Sequence, residues 1–113
     1  SGKQTRTFCY ISDAMKGFFR VLLRGQPGEV FNIGNPNPEM NMIELAAMLY
    51  KVCEKENISE LVAYPSYYPD DEPTRRSPDI SKAREQLGYE PTIEIQSGLK
   101  RMYKWAKLNY FKQ

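Results

Sequence analysis

Guanidinium groups are the side chains in this sequence best suited to chemistry on an anion, and they fall in two separated places. Arg6 lies in "QTRTF" near the start, while Arg75 and Arg76 sit together in "DDEPTRRSPDI". A guanidinium presents a planar fork of donors that matches phosphate oxygens, so arginines from two elements suit a diphosphate. Asn32, Asn35 and Asn37 punctuate another loop, "FNIGNPNPE", where amides can meet sugar hydroxyls or a base edge. Pro65, Pro69, Pro73 and Pro78 stiffen the arginine loop and reduce the entropy it would lose on binding.

Each of these features has a plainer reading. An exposed arginine such as Arg6 is most often only solvated. Arg75 and Arg76 can pair with Asp70, Asp71 and Glu72 as weak surface contacts. Asparagine in "NPNP" is what turns select in any case. Tyr67 and Tyr68 read equally as core aromatics, and Trp105 as packing within the last helix. On residue chemistry alone, the plainer readings weigh more.

Much other chemistry is missing from the 113 residues. The chain has no His, which removes the commonest general base, the commonest metal ligand and any Ser/His/Asp triad. It has no G-x-G-x-x-G or G-x-x-G-x-x-G turn, no phosphate-cradling P-loop, no Cys pair at metal spacing and no G-x-S-x-G elbow. Sixteen basic residues against 14 acidic ones give a formal charge of +2, no electrostatic case for nucleic acid or a membrane surface. No apolar run reaches the ~18 residues of a membrane span. Cys9 and Cys53 lie in apolar patterns and read as buried thiols of a reducing compartment, not as a disulfide framework.

The elements that must position the arginines follow from periodicity. "TFCYI" (Thr7 to Ile11) reads as a short strand, with Ser12 or Asp13 capping the helix after it. Met15, Phe18, Phe19, Leu22 and Leu23 recur at the spacing of one helical face, and Gly25, Pro27 and Gly28 end it. "VFNI" (Val30 to Ile33) reads as a second strand. Asn41 and Glu44 form a capping box for a helix with Ile43, Ala46, Ala47, Tyr50 and Cys53 along one stripe. Leu61 to Tyr64 reads as a third strand. Asp79 caps a short helix that Gly88 closes, and a last helix carries Leu99, Met102, Tyr103, Ala106 and Tyr110. Strands alternating with helices predict a small α/β layer with short, mostly parallel strands. So few strands make an incomplete sheet, and "SGKQTRTFCY" enters patterned sequence without an initiator Met; both predict a piece of something longer.

Three segments then carry a family resemblance, in order and over nearly the whole chain. "GKQTRTFCYISDAMKGFFRVL", "GEVFNIGNPNPEMNMIELAAML" and "DDEPTRRSPDISKAREQLGYEPTIEIQSGLKRM" together resemble the C-terminal part of extended short-chain dehydrogenase/reductases acting on nucleotide sugars. These are the NAD-dependent epimerases, 4,6-dehydratases and decarboxylases. "SGKQTR", "FNIGNP" and the "SYY" segment with its later R-x-P-x-I are most similar to the UDP-glucuronate decarboxylase branch.

The resemblance implies that residues 1–113 are a C-terminal substrate-binding region, with the Rossmann domain, its NAD and its Tyr-x-x-x-Lys pair outside this chain. It implies that Arg6 approaches the diphosphate or the nucleotide and that Asn37 makes a polar loop contact. It further implies that Tyr68 contacts the nucleotide and that Arg76 binds the diphosphate, with a role near the reacting sugar. The implied partners are a nucleotide-sugar substrate and the Rossmann domain, with no metal, in a cytoplasmic parent that is a homodimer through helices this chain lacks. Alone, the chain is expected to bind no NAD and to be inactive. A rival reading makes it a non-enzymatic interaction module using the basic, aromatic "SGLKRMYKWAKLNYFKQ". On a third, a truncated chain exposes an apolar face and self-associates.

Overall fold

The computed structural model describes residues 2–56, 58–67 and 71–110. The strands form one small sheet. Strand β1 (Thr5–Thr7) runs between β2 (Glu39–Asn41), antiparallel to it, and β3 (Arg75–Arg76), parallel to it. Helix α2 (Met42–Cys53) packs on β2 and against α4 (Ile95–Asn109), while α1 (Ile11–Arg24) packs against α3 (Ser81–Leu87). The α/β class and the short strands are as expected; the pairing is mixed, one parallel and one antiparallel.

Strand positions differ from expectation in an instructive way. "VFNI" is not a strand, nor is Leu61 to Tyr64, and the first strand sits two residues earlier than its β-branched run. Apolar β-propensity marks chain that fits a half-buried pleat, but a ladder also needs a neighbouring edge. Phe31 and Ile33 instead pack as irregular chain against the core, while Leu61 and Val62 lie exposed. The strands that do form are a polar triplet, a triplet with one buried apolar residue, Met40, and a pair of arginines, joined by their register with β1.

The helix ends obey local rules closely. The Asn41 side chain accepts from the Glu44 N–H, and the Glu44 carboxylate accepts from the Asn41 N–H. Asp79, expected as the cap of α3, stands one residue before its N-cap Ile80, yet its carboxylate still accepts the Ser81 N–H, which lowers its pKa. Gly88 closes α3 in the left-handed region at φ 62°.

Asp13 breaks the pattern. It is not a cap, because α1 begins at Ile11 with Tyr10 before it. Asp13 is wholly buried, and its carboxylate accepts the N–H groups of Thr92 and Ile93 at 2.8 and 2.7 Å. Lys16 pairs with it at 3.0 Å. This single carboxylate ties α1 to the segment entering α4.

The core is small: Ile80, Ala83, Leu87 and Tyr89, with Val21, Phe31 and Ile33 packed against it. The Tyr89 hydroxyl donates to the Gly34 carbonyl at 3.0 Å, and burial pushes its pKa up. α1 meets this core through Gly17 and Val21, not through its apolar stripe. Phe18, Phe19, Leu22 and Leu23 are more than half exposed. Trp105, expected to pack, is also exposed and meets Tyr110 edge-on at 5.3 Å; Tyr67 is exposed too. Cys9 and Cys53, expected to be buried, are half-buried free thiols.

Gly17 is a close-approach position. A Cβ there would overlap Ile33 Cγ2 and press on the Tyr89 ring. Gly17→Ala gains about 1 kcal/mol of helix propensity but overpacks the core at a cost of about 1–3 kcal/mol. Overpacking wins because Tyr89 is pinned by its own hydrogen bond. The variant is expected to unfold at lower urea concentration than the wild type, with an unchanged slope.

Candidate anion-binding site

Strand alternation sorts the arginines. Residues directly opposite in a sheet share a face, so Arg6, Met40 and Arg76 lie on one side of it. Thr5, Thr7, Glu39 and Arg75 lie on the other. Arg75 and Arg76 are adjacent in sequence and opposite in direction.

On its own face Arg75 is committed to structure. Its guanidinium grips Glu39 with Nε at 2.9 Å from one oxygen and Nη2 at 2.7 Å from the other. The Thr5 hydroxyl donates to the same carboxylate. Arg75 first, and Thr5 after it, hold the Glu39 carboxyl below the usual carboxylate range, and Glu39 raises the Arg75 pKa in turn. This triad fastens β2 and β3 across β1.

On the other face two guanidinium groups converge. Arg6 and Arg76 are paired in register across the parallel strands. Arg6 Nη2 lies 2.7 Å from one oxygen of Glu72, and Arg76 Nη2 lies 3.0 Å from the other. Arg6 Nη1 donates to the Thr5 carbonyl at 2.8 Å, which fixes the plane of its fork. The Arg6 side chain is 18% exposed and that of Arg76 58%, so the pair forms a site with a fixed inner wall and an open outer one. Side by side, two cations repel; the Glu72 carboxylate between them relieves this.

The remaining candidates are dispersed. Asn37 lines a separate groove with Pro38, Arg84, Glu90 and residues 91–96, and neither Arg6, Glu72 nor Arg76 borders it. Asn32 donates to the Asp79 carbonyl at 3.0 Å, and the Asn35 side chain accepts the Asn37 N–H. Both are structural contacts. Tyr68 falls outside the described residues. The plainer reading of the acidic loop holds for Arg76, which pairs with Glu72 four residues earlier, and fails for Arg75, which crosses to Glu39. In the sequence Glu72 is one of three acids beside the arginines and Glu39 carries no signal, because a carboxylate near arginines looks the same whether it is shared or merely adjacent.

Chemically, the Arg6 and Arg76 pair can bind and orient an anion with two or more oxygens. Among the described residues no group of His, Cys, Asp or Glu could hold a metal ion. The strand-to-helix turns do not fit a dinucleotide. Phe8, Cys9 and Tyr10 join β1 to α1 without glycine, and the chain's own side chains fill the N-termini of α2 and α3. NAD therefore has no cradle in these turns.

Comparison with known proteins gives the family of the chain. The family described as GDP-mannose 4,6 dehydratase matches residues 1–102. The UDP-glucuronic acid decarboxylase 6 of Arabidopsis thaliana is 43% identical over 98 residues, covering 87% of this chain and 27% of that protein. The dTDP-D-glucose 4,6-dehydratase of Homo sapiens is 35% identical over 112 residues, covering 97% of this chain and 32% of that one. The crystal structure of the Bacillus cereus UDP-glucuronic acid 4-epimerase, in complex with UDP-glucuronic acid and NAD, superposes with a TM-score of 0.81. It is 34% identical, over 97% of this chain and 34% of that one.

The fold is that of the extended short-chain dehydrogenase/reductases of nucleotide-sugar metabolism. The chain belongs to the GDP-mannose 4,6 dehydratase family within that class. It spans a third or less of the relatives it matches, between 22% and 34% of their length. The family match runs into α4, and the comparisons give no support to that helix as a separate interaction module.

Proposed function

We propose that this chain is the substrate-binding C-terminal region of an NAD-dependent nucleotide-sugar epimerase, dehydratase or decarboxylase, and that Arg6 and Arg76 hold the diphosphate. One observation carries the reading: two guanidinium groups distant in sequence converge on the two oxygens of one carboxylate. A bridging carboxylate stands where two oxygens of a pyrophosphate would lie. Held there, the diphosphate anchors the substrate away from the reacting sugar carbon while the cofactor changes that carbon's oxidation state. The finer assignment is a UDP-glucuronate decarboxylase-like enzyme, supported by the 43% identity to the Arabidopsis thaliana protein. There Arg76, the more open of the pair, lies toward the sugar.

NAD and the catalytic groups belong to a Rossmann domain that this chain does not contain. Supporting this, the radius of gyration is 16.9 Å, against about 13 Å for a compact chain of this length. The apolar stripe of α1 is also left uncovered. Alone, the chain binds no NAD and turns over no substrate. The parent is a cytoplasmic homodimer, a setting in keeping with the two free thiols; none of the described helices is long and apolar enough to cross a membrane. Asn37 and Tyr68 are proposed as further contacts to the nucleotide sugar, the first from the groove beside α4.

Calorimetric titration of the chain with UDP, uridine and NAD tests this. UDP is expected to bind at least about tenfold more tightly than uridine, because charge-assisted bonds to phosphate supply most of the affinity. NAD is expected to give no saturable signal. Equal affinity for UDP and uridine, or no UDP binding at all, would remove the diphosphate from the account.

A further inference from the structure

Glu72 sits where the proposed ligand would. Its two oxygens are divided between Arg6 at 2.7 Å and Arg76 at 3.0 Å, and its side chain is 21% exposed. The remaining Arg6 donor with a recorded bond faces the Thr5 carbonyl. A diphosphate joining the site beside Glu72 would therefore compete for the same donors and bring like charge within hydrogen-bond distance of the carboxylate.

We propose that Glu72 is the resident occupant of the anion site, so that a diphosphate enters by exchanging with its carboxylate. This rests on the reading of Arg6 and Arg76 as diphosphate ligands. Exchange needs little movement. The Glu72 side chain is already 21% exposed, so the exchange is a change of its side-chain torsions toward solvent on a backbone that Pro73 restricts. Until a ligand arrives, the carboxylate keeps the paired cations from repelling each other. Its presence also screens out weak monoanions, because only a ligand of greater charge displaces it. A diphosphate does so with more oxygens and more charge than one carboxylate.

The test is UDP affinity in Glu72→Gln, which preserves shape and removes the charge. Glu29→Gln is the control: it changes net charge equally, at a carboxylate paired with Lys82 instead. Glu72→Gln is expected to bind UDP about three- to tenfold more tightly than the wild type, the size of two partly exposed ion pairs no longer opposing the ligand. Glu29→Gln is expected to match the wild type. Tighter binding in both variants alike would assign the gain to net charge and overturn the inference. If Glu72 is instead a strut that orients the arginines, Glu72→Gln will bind UDP equally or more weakly. That result overturns the exchange while leaving the diphosphate reading intact, provided the wild type binds UDP. Absence of UDP binding in wild type and variant together overturns both.

A second measurement needs no variant. In the wild-type chain labelled at side-chain carboxyl carbons, UDP is expected to move the Glu72 resonance and leave that of Glu39 in place. Saturable UDP binding with an unmoved Glu72 resonance would overturn the exchange.

Discussion

Asp13→Ala is expected to lower the unfolding free energy by about 3–4 kcal/mol, the largest stability effect of any single polar substitution considered for this chain. The carboxylate is fully buried and accepts two backbone N–H groups, from Thr92 and Ile93, as well as Lys16. Alanine leaves both N–H groups without a partner, each at about 1–3 kcal/mol. Lys16 is half exposed and returns to water at little cost. The sum is large against the about 5–15 kcal/mol of an ordinary domain.

The same group sets an acid limit. Burial pushes the Asp13 carboxyl up, but the Ile93 N–H, Lys16 and the Thr92 N–H outweigh it and hold it below its ordinary value of 3.8. A depressed folded pKa means that the unfolded chain takes up the proton first. The contribution of the charged form is therefore complete above the unfolded value and is lost as pH falls through the lower folded one. Urea denaturation of the wild type and Asp13→Ala is expected to show a full gap near about pH 7 that narrows below about pH 4. A gap that stays constant into acid would show that Asp13 acts by shape and not by charge.

Arg6→Ala is expected to weaken UDP binding about 10- to 100-fold and to lower stability by about 1–3 kcal/mol with the fold retained. Hydrogen bonds to a charged partner contribute about 1.5–3 kcal/mol, and each 1.4 kcal/mol or so is a factor of ten in affinity. The stability loss is of this size because the Arg6 and Glu72 side chains are only 18% and 21% exposed, so their charge-assisted bond is largely shielded from water. Arg6→Lys keeps the charge and loses the fork that Thr5 and Glu72 share. It is expected to recover only part of the affinity. Calorimetry on the three proteins, with circular dichroism to confirm the fold, checks both claims. Full recovery by lysine would mean that position 6 supplies charge without geometry.

What could be read in advance divides along local and non-local lines. The Asn41–Glu44 box and the Gly88 stop are written in a few adjacent residues, and each forms as its local chemistry dictates. The strands were misplaced because Glu39–Asn41 and Arg75–Arg76 have no β-like composition; only their register with β1 makes them strands. α1 was legible as a helix but not in its orientation. Its apolar stripe faces outward, and Gly17 and Asp13 face inward. An amphipathic pattern announces a face that wants cover without saying which partner supplies it. Arg6 and Arg76 were picked out by family resemblance; that they share one carboxylate depends on a parallel pairing no local signal carries. Asn37, a candidate alongside them in the sequence, borders another groove.

Neighbouring arginines on opposite faces of β3 offer the most direct test of the central claim. Arg75→Ala and Arg76→Ala remove the same charge from the same strand, one beside Glu39 and one beside Arg6 and Glu72. UDP affinity measured on both is expected to fall about 10- to 100-fold for Arg76→Ala and to stay within about twofold of wild type for Arg75→Ala. Equal losses at the two positions, or a loss at Arg75 alone, would contradict a diphosphate gripped between Arg6 and Arg76.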